Sequence, residues 1–198
     1  SNDIIEAFCN VMQDKKLMPA FRAQLLSQPS ISEIITHFFE KNLKIDPLQI
    51  YRAKKLFTKK LAETSNAFLE QLFQSLAQNF EYEPSANQSG ERSLKNILLG
   101  LLTRLDNGES AKKQFSEADN MTDEVAALSI LIQNDMAVKE IENFYVKWSD
   151  DRLVIDKWFS LQTSLSPPSK SLKITKTLTG HCDFNEKNPN RFRATIGG

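Results

Sequence analysis

The chain has 198 residues, of which 40% are hydrophobic and 25% are charged, a balance that supports one large or two small domains with sizeable cores. Lys plus Arg equals Asp plus Glu at 25 residues each, so no net charge favours nucleic acid or an anionic membrane, and we expect neither partner. No apolar run approaches the roughly 18 residues that a membrane span needs. The two cysteines, Cys9 and Cys182, are too few for a disulfide framework, and we expect a cytoplasmic protein.

In the first half of the chain, apolar residues recur at spacings of three and four, which is the period of amphipathic helices. The first predicted helix carries its apolar residues on one face: Ile4, Ile5, Phe8, Val11 and Met12. Pro19 suits the first position of a short second helix. Ser30 and Glu33 have the spacing of a capping box, and Asp46 before Pro47 predicts a further helix start. From there an apolar stripe runs to Phe80 in one helix or in two neighbouring helices.

The second half begins after residues 82–90, which break the pattern and predict an internal loop or linker. A strongly apolar helix follows and stops at residues 106–108, and Thr122 is the predicted cap of a later one. Further stripes lie at residues 138–148, 153–161 and 172–178. Asn188 and Pro189 predict a last helix that we expect the end of the chain to truncate, as in a fragment of a longer domain.

These patterns predict an all-α fold of at least eight helices, paired antiparallel, without a sheet. Short helix pairs at intervals of roughly 30–45 residues are typical of helical solenoids. The sequence shows no consensus repeat, however, so periodicity alone leaves an irregular stack of helix pairs and an ordinary helical bundle equally open.

The sequence shows no complete catalytic or metal-binding site. Glu33 and His37 lie four residues apart on one helical face, a spacing that suits two metal ligands, but no further ligand completes a set. None of the common catalytic or phosphate-binding motifs occurs. The basic residues Lys54, Lys55, Lys59 and Lys60 are interpreted as a solvated helix face. We therefore predict no catalytic residue and no metal ligand in this chain.

Three segments indicate a family. They are residues 114–128 (QFSEADNMTDEVAAL), 156–162 (DKWFSLQ) and 188–193 (NPNRFR). In this order and spacing they resemble the C-terminal helical domain of bacterial aminopeptidase N, also called alanyl aminopeptidase. The opening, with Ala7-Phe8, Leu17-Met18-Pro19-Ala20 and Gln28-Pro29-Ser30, is similar too. The resemblance covers nearly the whole chain and is weakest between residues 40 and 90.

The resemblance implies a zinc-dependent exopeptidase that removes N-terminal residues from peptides, with Zn²⁺ bound in the full-length enzyme and none in this segment. Residues 1–198 would be a single helical domain fragment, an ARM- or HEAT-like right-handed superhelical stack. It would lack the N-terminal β domain and the catalytic domain with its H-E-x-x-H and G-A-M-E-N motifs. Its partners would be the catalytic domain of the same polypeptide and peptide substrates, and alone it would be inactive.

The resemblance also gives a role to the final arginines. It implies that Arg193 borders an internal chamber and meets the distal end of the peptide, whereas Arg191 supports the turn. The alternative function is a free-standing helical-repeat adaptor that binds a protein partner. A complete reading frame for this chain alone would favour the adaptor, and a preceding H-E-x-x-H domain would favour the peptidase.

Overall fold

The computed structural model describes residues 2–76 and 82–197. Within these ranges there are eleven helices and no strand, so the predicted all-α class is confirmed. Contacts divide the chain into two compact units, residues 1–106 and 107–198. The boundary lies in the turns between α5, which ends at Leu102, and α6, which begins at Glu109. In these turns Gly108 adopts a φ of +87°, which favours glycine.

The first unit contains five helices: α1 (Asn2–Gln13), α2 (Pro19–Leu26), α3 (Ile31–Glu40), α4 (Pro47–Leu76) and α5 (Ala86–Leu102). The sequence predicted that the long apolar stripe after Pro47 lies in one helix or in two neighbouring helices. The structure shows one continuous helix, α4, as far as Leu76. The predicted continuation of the stripe to Phe80 lies outside the described residues. Helix α5 packs against α2 and α4, and α1 packs against α2 and α4. Fully buried side chains from α1, α4 and α5 form the core: Met12, Leu61, Leu69, Leu94, Leu98 and Leu99.

Helix α5 corrects the predicted loop at residues 82–90, because the helix already begins at Ala86. The Ser85 hydroxyl caps it by accepting a hydrogen bond from the Gln88 backbone N–H. Gly90, which lies in the predicted loop, is buried inside the helix. A Cβ at Gly90 would lie 2.9 Å from both the Cβ and the backbone nitrogen of Ala20, so this glycine permits the close approach of α2.

The second unit contains six helices: α6 (Glu109–Glu117), α7 (Met121–Gln133), α8 (Val138–Trp148), α9 (Arg152–Leu165), α10 (Pro168–Thr179) and α11 (Pro189–Ile196). Helix α9 contacts α7, α8, α10 and α11, and therefore lies at the centre of this unit. Its Ile155 and Phe159 are buried with Leu128, Leu131 and Phe144. The apolar stripes predicted at residues 138–148, 153–161 and 172–178 lie on α8, α9 and α10.

Helix caps test the sequence interpretation residue by residue. Ser30 and Glu33 form the predicted capping box, and the Asp46 carboxylate accepts a hydrogen bond from the Gln49 N–H at 3.0 Å. The predicted cap at Thr122 is wrong. Asn120 caps α7 by accepting from the Asp123 N–H, which places Thr122 inside the first turn. An asparagine amide oxygen is at least as good an N-cap acceptor as a threonine hydroxyl. Over the described residues, no helix has both the length and the apolar character needed to cross a membrane.

Candidate functional site

The candidate site lies in the second unit, around α11 and the segment that precedes it. Asn188 caps α11 by accepting from the N–H groups of Asn190 and Arg191, and Pro189 occupies the first turn. Arg191 and Arg193 are two positions apart, so their side chains leave the helix about 200° apart. One arginine is therefore directed into the unit and the other away from it: Arg191 is 6% exposed, and Arg193 is exposed.

Arg191 fastens α11 to the unit through three contacts. Its Nε donates to Oδ1 of Asp156 on α9 at 2.5 Å, and its Nη1 donates to the backbone carbonyl of Asp183 at 2.5 Å. Its guanidinium carbon lies 4.7 Å from the centre of the Phe159 ring, in cation–π geometry. These contacts attach α11 to α9 and to the segment that precedes α11.

Arg193 has different surroundings. Its guanidinium has no hydrogen-bond or ion-pair partner among residues 2–76 and 82–197. The side chain therefore stays available to a ligand while Arg191 fixes the helix that carries it. Its role in binding the distal end of a peptide stays a prediction.

A second group of potential ligand side chains, which the sequence motifs did not indicate, lies between α10 and α11. His181, Cys182 and Asp183 are consecutive, and the ligand atoms of the three side chains all lie within 4.8 Å of one another. Cys182 Sγ is 3.8 Å from His181 Nδ1. The adjacency of these three residue types was visible in the sequence. Consecutive residues share a ligand position only where the backbone turns tightly, which the sequence alone does not show.

Aromatic rings of α8 and α9 hold this group in place. The His181 ring centre lies 5.0 Å from that of Tyr145, 5.1 Å from that of Trp158 and 5.6 Å from that of Phe159. The Tyr145 hydroxyl donates to Asp183 Oδ2 at 2.6 Å. That hydrogen bond to a carboxylate, together with burial, raises the pKa of Tyr145 well above its ordinary value.

Glu33 and three of the four lysines in the basic run have partners in the structure. Glu33 accepts from the Ser30 backbone N–H in the capping box, and its hydrogen bonds from Ser30 lower its pKa. Lys54 donates to the Pro29 carbonyl, and burial lowers the pKa of its ammonium group. Lys59 and Lys60 are paired with Glu63 and Asn2 at the surface. Only Lys54 departs from the solvated face that the sequence predicted.

The helices and their order define a helical-repeat domain. Residues 1–198 match the family described as "Domain of unknown function (DUF3458_C) ARM repeats" over their full length. The chain belongs to this family of ARM-repeat domains.

The chain is also similar to several aminopeptidases. The chain is 33% identical over 202 residues to aminopeptidase N of Escherichia coli K12, which covers 98% of this chain and 22% of that protein. It is 29% identical over 196 residues to aminopeptidase N of Caulobacter vibrioides, covering 96% and 22%. Among solved structures, a crystal structure of Legionella pneumophila aminopeptidase A in complex with aspartic acid is similar, with a TM-score of 0.84 and 25% identity. That match covers all of this chain and 24% of the Legionella chain.

These findings confirm the resemblance to aminopeptidase N that the three sequence segments indicated. The chain spans about a fifth of the length of the curated relatives that it matches.

Proposed function

We propose that this chain is the non-catalytic helical domain of a zinc-dependent aminopeptidase that removes N-terminal residues from peptides. Its support is the similarity to aminopeptidase N, which extends over 98% of this chain but only 22% of the Escherichia coli protein. The sequence of 198 residues contains no H-E-x-x-H motif. The zinc ligands and the general base would therefore belong to the remaining four-fifths of such a protein.

In that enzyme the zinc ion would polarise the scissile carbonyl and activate a water molecule. The contribution of this chain would be access and positioning. A helical domain that encloses the active site admits peptides and unfolded tails and excludes folded proteins. Residues on its inner surface would hold the part of the peptide that is distant from the scissile bond.

Arg193 is the residue that we propose for this holding role, and its setting in α11 is the observation that supports it. Arg191 anchors the helix to Asp156 and to the Asp183 carbonyl, while Arg193 is exposed on the same two helical turns. A planar guanidinium can hold a carboxylate through two parallel hydrogen bonds, and it stays charged at any working pH. A rigid helix would keep that group in place before the peptide arrives. The ligand would be the C-terminal carboxylate of a short peptide.

The test uses Arg193→Ala and Arg193→Lys in the complete peptidase, assayed on two substrate classes. Loss of a charge-assisted contact is worth roughly 1.5–3 kcal/mol, so Arg193→Ala should lower kcat/KM for short peptides with a free C-terminus about ten- to a hundredfold. Peptides with an amidated C-terminus and aminoacyl-anilides, which lack the carboxylate, should be almost unaffected. Arg193→Lys should restore part of the activity, since it keeps the charge but not the fork. Equal losses on both classes would contradict the proposal.

Exposed apolar side chains on α3 and α4 support the proposal that this chain packs against another domain of the same polypeptide. Helix α3 has no buried residue, and its Phe39 is 74% exposed. Leu43, Leu48 and Leu56 are also exposed nearby in the sequence. Exposed apolar residues that recur in one region mark a surface made for contact. We propose that the catalytic domain packs there. A helical adaptor would use such a surface to bind another protein. Sequencing the complete reading frame distinguishes the peptidase from the adaptor. An upstream H-E-x-x-H motif would contradict the adaptor, and its absence would contradict the peptidase.

A further inference from the structure

We propose that His181, Cys182 and Asp183 form a binding site for a thiophilic divalent cation of the Zn²⁺ type. This proposal is independent of the proposed peptidase function. It concerns only the second unit, where the three residues connect α10 to α11. The three side chains provide a sulfur, an imidazole nitrogen and a carboxylate oxygen, which are the ligand types that proteins use for zinc.

The spacing of the ligand atoms fits one ion. Zinc–sulfur bonds of about 2.3 Å and zinc–nitrogen bonds of about 2.0–2.1 Å at a tetrahedral angle place the two ligand atoms about 3.5 Å apart. Cys182 Sγ and His181 Nδ1 are 3.8 Å apart, and no two ligand atoms of the group are farther apart than 4.8 Å. A shift of a few tenths of an ångström therefore brings sulfur and nitrogen to the distance that a shared ion requires. The fourth position would be filled by water, because Cys182 is exposed to solvent.

The surroundings orient the ligands in the way that outer-shell contacts do in metal sites. The His181 ring is packed against the rings of Tyr145, Trp158 and Phe159. The Tyr145 hydroxyl holds the Asp183 carboxylate through Oδ2. Arg191 holds the backbone of the same residue through its carbonyl. Helices α8, α9 and α11 thus position His181 and Asp183, and the Cys182 Sγ lies 4.0 Å from the Tyr145 hydroxyl.

Binding requires two local changes. The Asp183 backbone N–H, which now donates to His181 Nδ1 at 3.2 Å, must give up that hydrogen bond so that the nitrogen lone pair can bind the ion. The Cys182 S–H bond breaks as the sulfur–metal bond forms, and the proton passes to solvent. The thiolate makes the site selective, because sulfur ligands favour Zn²⁺ and similar ions over Mg²⁺ and Ca²⁺.

The experiment titrates the 198-residue chain with Co²⁺, which reports thiolate ligation by a sulfur-to-cobalt charge-transfer absorption, and then adds Zn²⁺ as a competitor. We expect one Co²⁺ per chain, displacement by Zn²⁺, and no effect of Mg²⁺. Cys182→Ser should abolish the charge-transfer absorption and weaken Zn²⁺ binding at least tenfold. Cys9→Ser is the matched control, since it removes the other thiol, and it should leave both unchanged.

Two further variants test the supporting contacts. Asp183→Asn should weaken Zn²⁺ binding tenfold or more, and Tyr145→Phe should weaken it by about ten- to a hundredfold, as loss of an outer-shell hydrogen bond does elsewhere. Circular dichroism shows whether each variant keeps its helices. The proposal is overturned if the unaltered chain gives no charge-transfer absorption. Zn²⁺ binding of equal strength in Cys182→Ser would overturn it as well.

Discussion

Replacing Arg191 by methionine tests how α11 is fixed to the rest of its unit. The substitution keeps much of the apolar stem but leaves the Asp156 carboxylate without its cation and the Asp183 carbonyl without its donor. Removing one partner of a buried ion pair costs roughly 3–5 kcal/mol. The side chain of Asp156 is 18% exposed, whereas the side chain of Arg191 is 7% exposed. Water can therefore solvate part of the Asp156 carboxylate when its cation is removed. We therefore expect a loss near the lower limit, about 3 kcal/mol.

Urea unfolding followed by tryptophan fluorescence measures this loss, because both tryptophans, Trp148 and Trp158, lie in the second unit. The matched control is Arg193→Met, which changes the exposed arginine of the same helix and should alter the unfolding free energy by no more than about 0.5 kcal/mol. Asp156→Asn should also destabilise the unit, and the double variant should lose less than the sum of the two single losses. Similar losses from Arg191→Met and Arg193→Met would refute the reasoning, as would a loss below about 1 kcal/mol for Arg191→Met.

Two further predictions concern the first unit. Gly90→Ala should destabilise it by about 1–3 kcal/mol, because the new Cβ would lie 2.9 Å from the backbone nitrogen of Ala20. The control is Gly180→Ala, whose Cβ would lie 3.5 Å from its nearest neighbour. Urea unfolding followed by circular dichroism should show no loss of stability for this control. The Ser30 hydrogen bonds lower the pKa of Glu33, so the stability they provide is present above the ordinary carboxyl pKa and is lost as the pH falls through the lowered one. Glu33→Gln should therefore be less stable than the unaltered chain at neutral pH and approach it in acid; a difference independent of pH would contradict this. Ser30→Ala should remove about 1 kcal/mol of helix stability. It should reduce this pH dependence without abolishing it, because the Ser30 backbone N–H still donates to the Glu33 carboxylate.

The fold was predictable because helix signals are local. The cap residues Ser30 and Asp46 act within three positions of themselves, and the apolar stripes identify each helix without knowledge of its neighbours. The errors are local too. Asn120 rather than Thr122 caps α7, since both residue types are good caps and stand close together. The sequence predicted a loop at Gly90 because the contact that requires a glycine there, the close approach of Ala20, lies 70 positions away in the chain.

The candidate site was only partly predictable. The family segment at residues 188–193 identified both arginines, but no spacing rule shows that Arg191 meets Asp156 across 35 positions. The His181–Asp183 group needed the structure for a different reason. Consecutive residues share a ligand position only when the backbone turns tightly, and the Asp183 N–H bond to His181 shows that it does.

The proposed division between a catalytic region and this helical domain is tested most directly by the turnover of an alanyl-anilide, measured for the complete peptidase and for the 198-residue chain alone. If the proposed function holds, we expect chelator-sensitive hydrolysis by the complete peptidase and none by the 198-residue chain, because the groups that activate water would lie outside these residues. Circular dichroism of the isolated chain shows that it is folded in the assay. Hydrolysis by the isolated chain, or a complete protein without peptidase activity, would contradict the proposal that this chain is the non-catalytic domain of a peptidase.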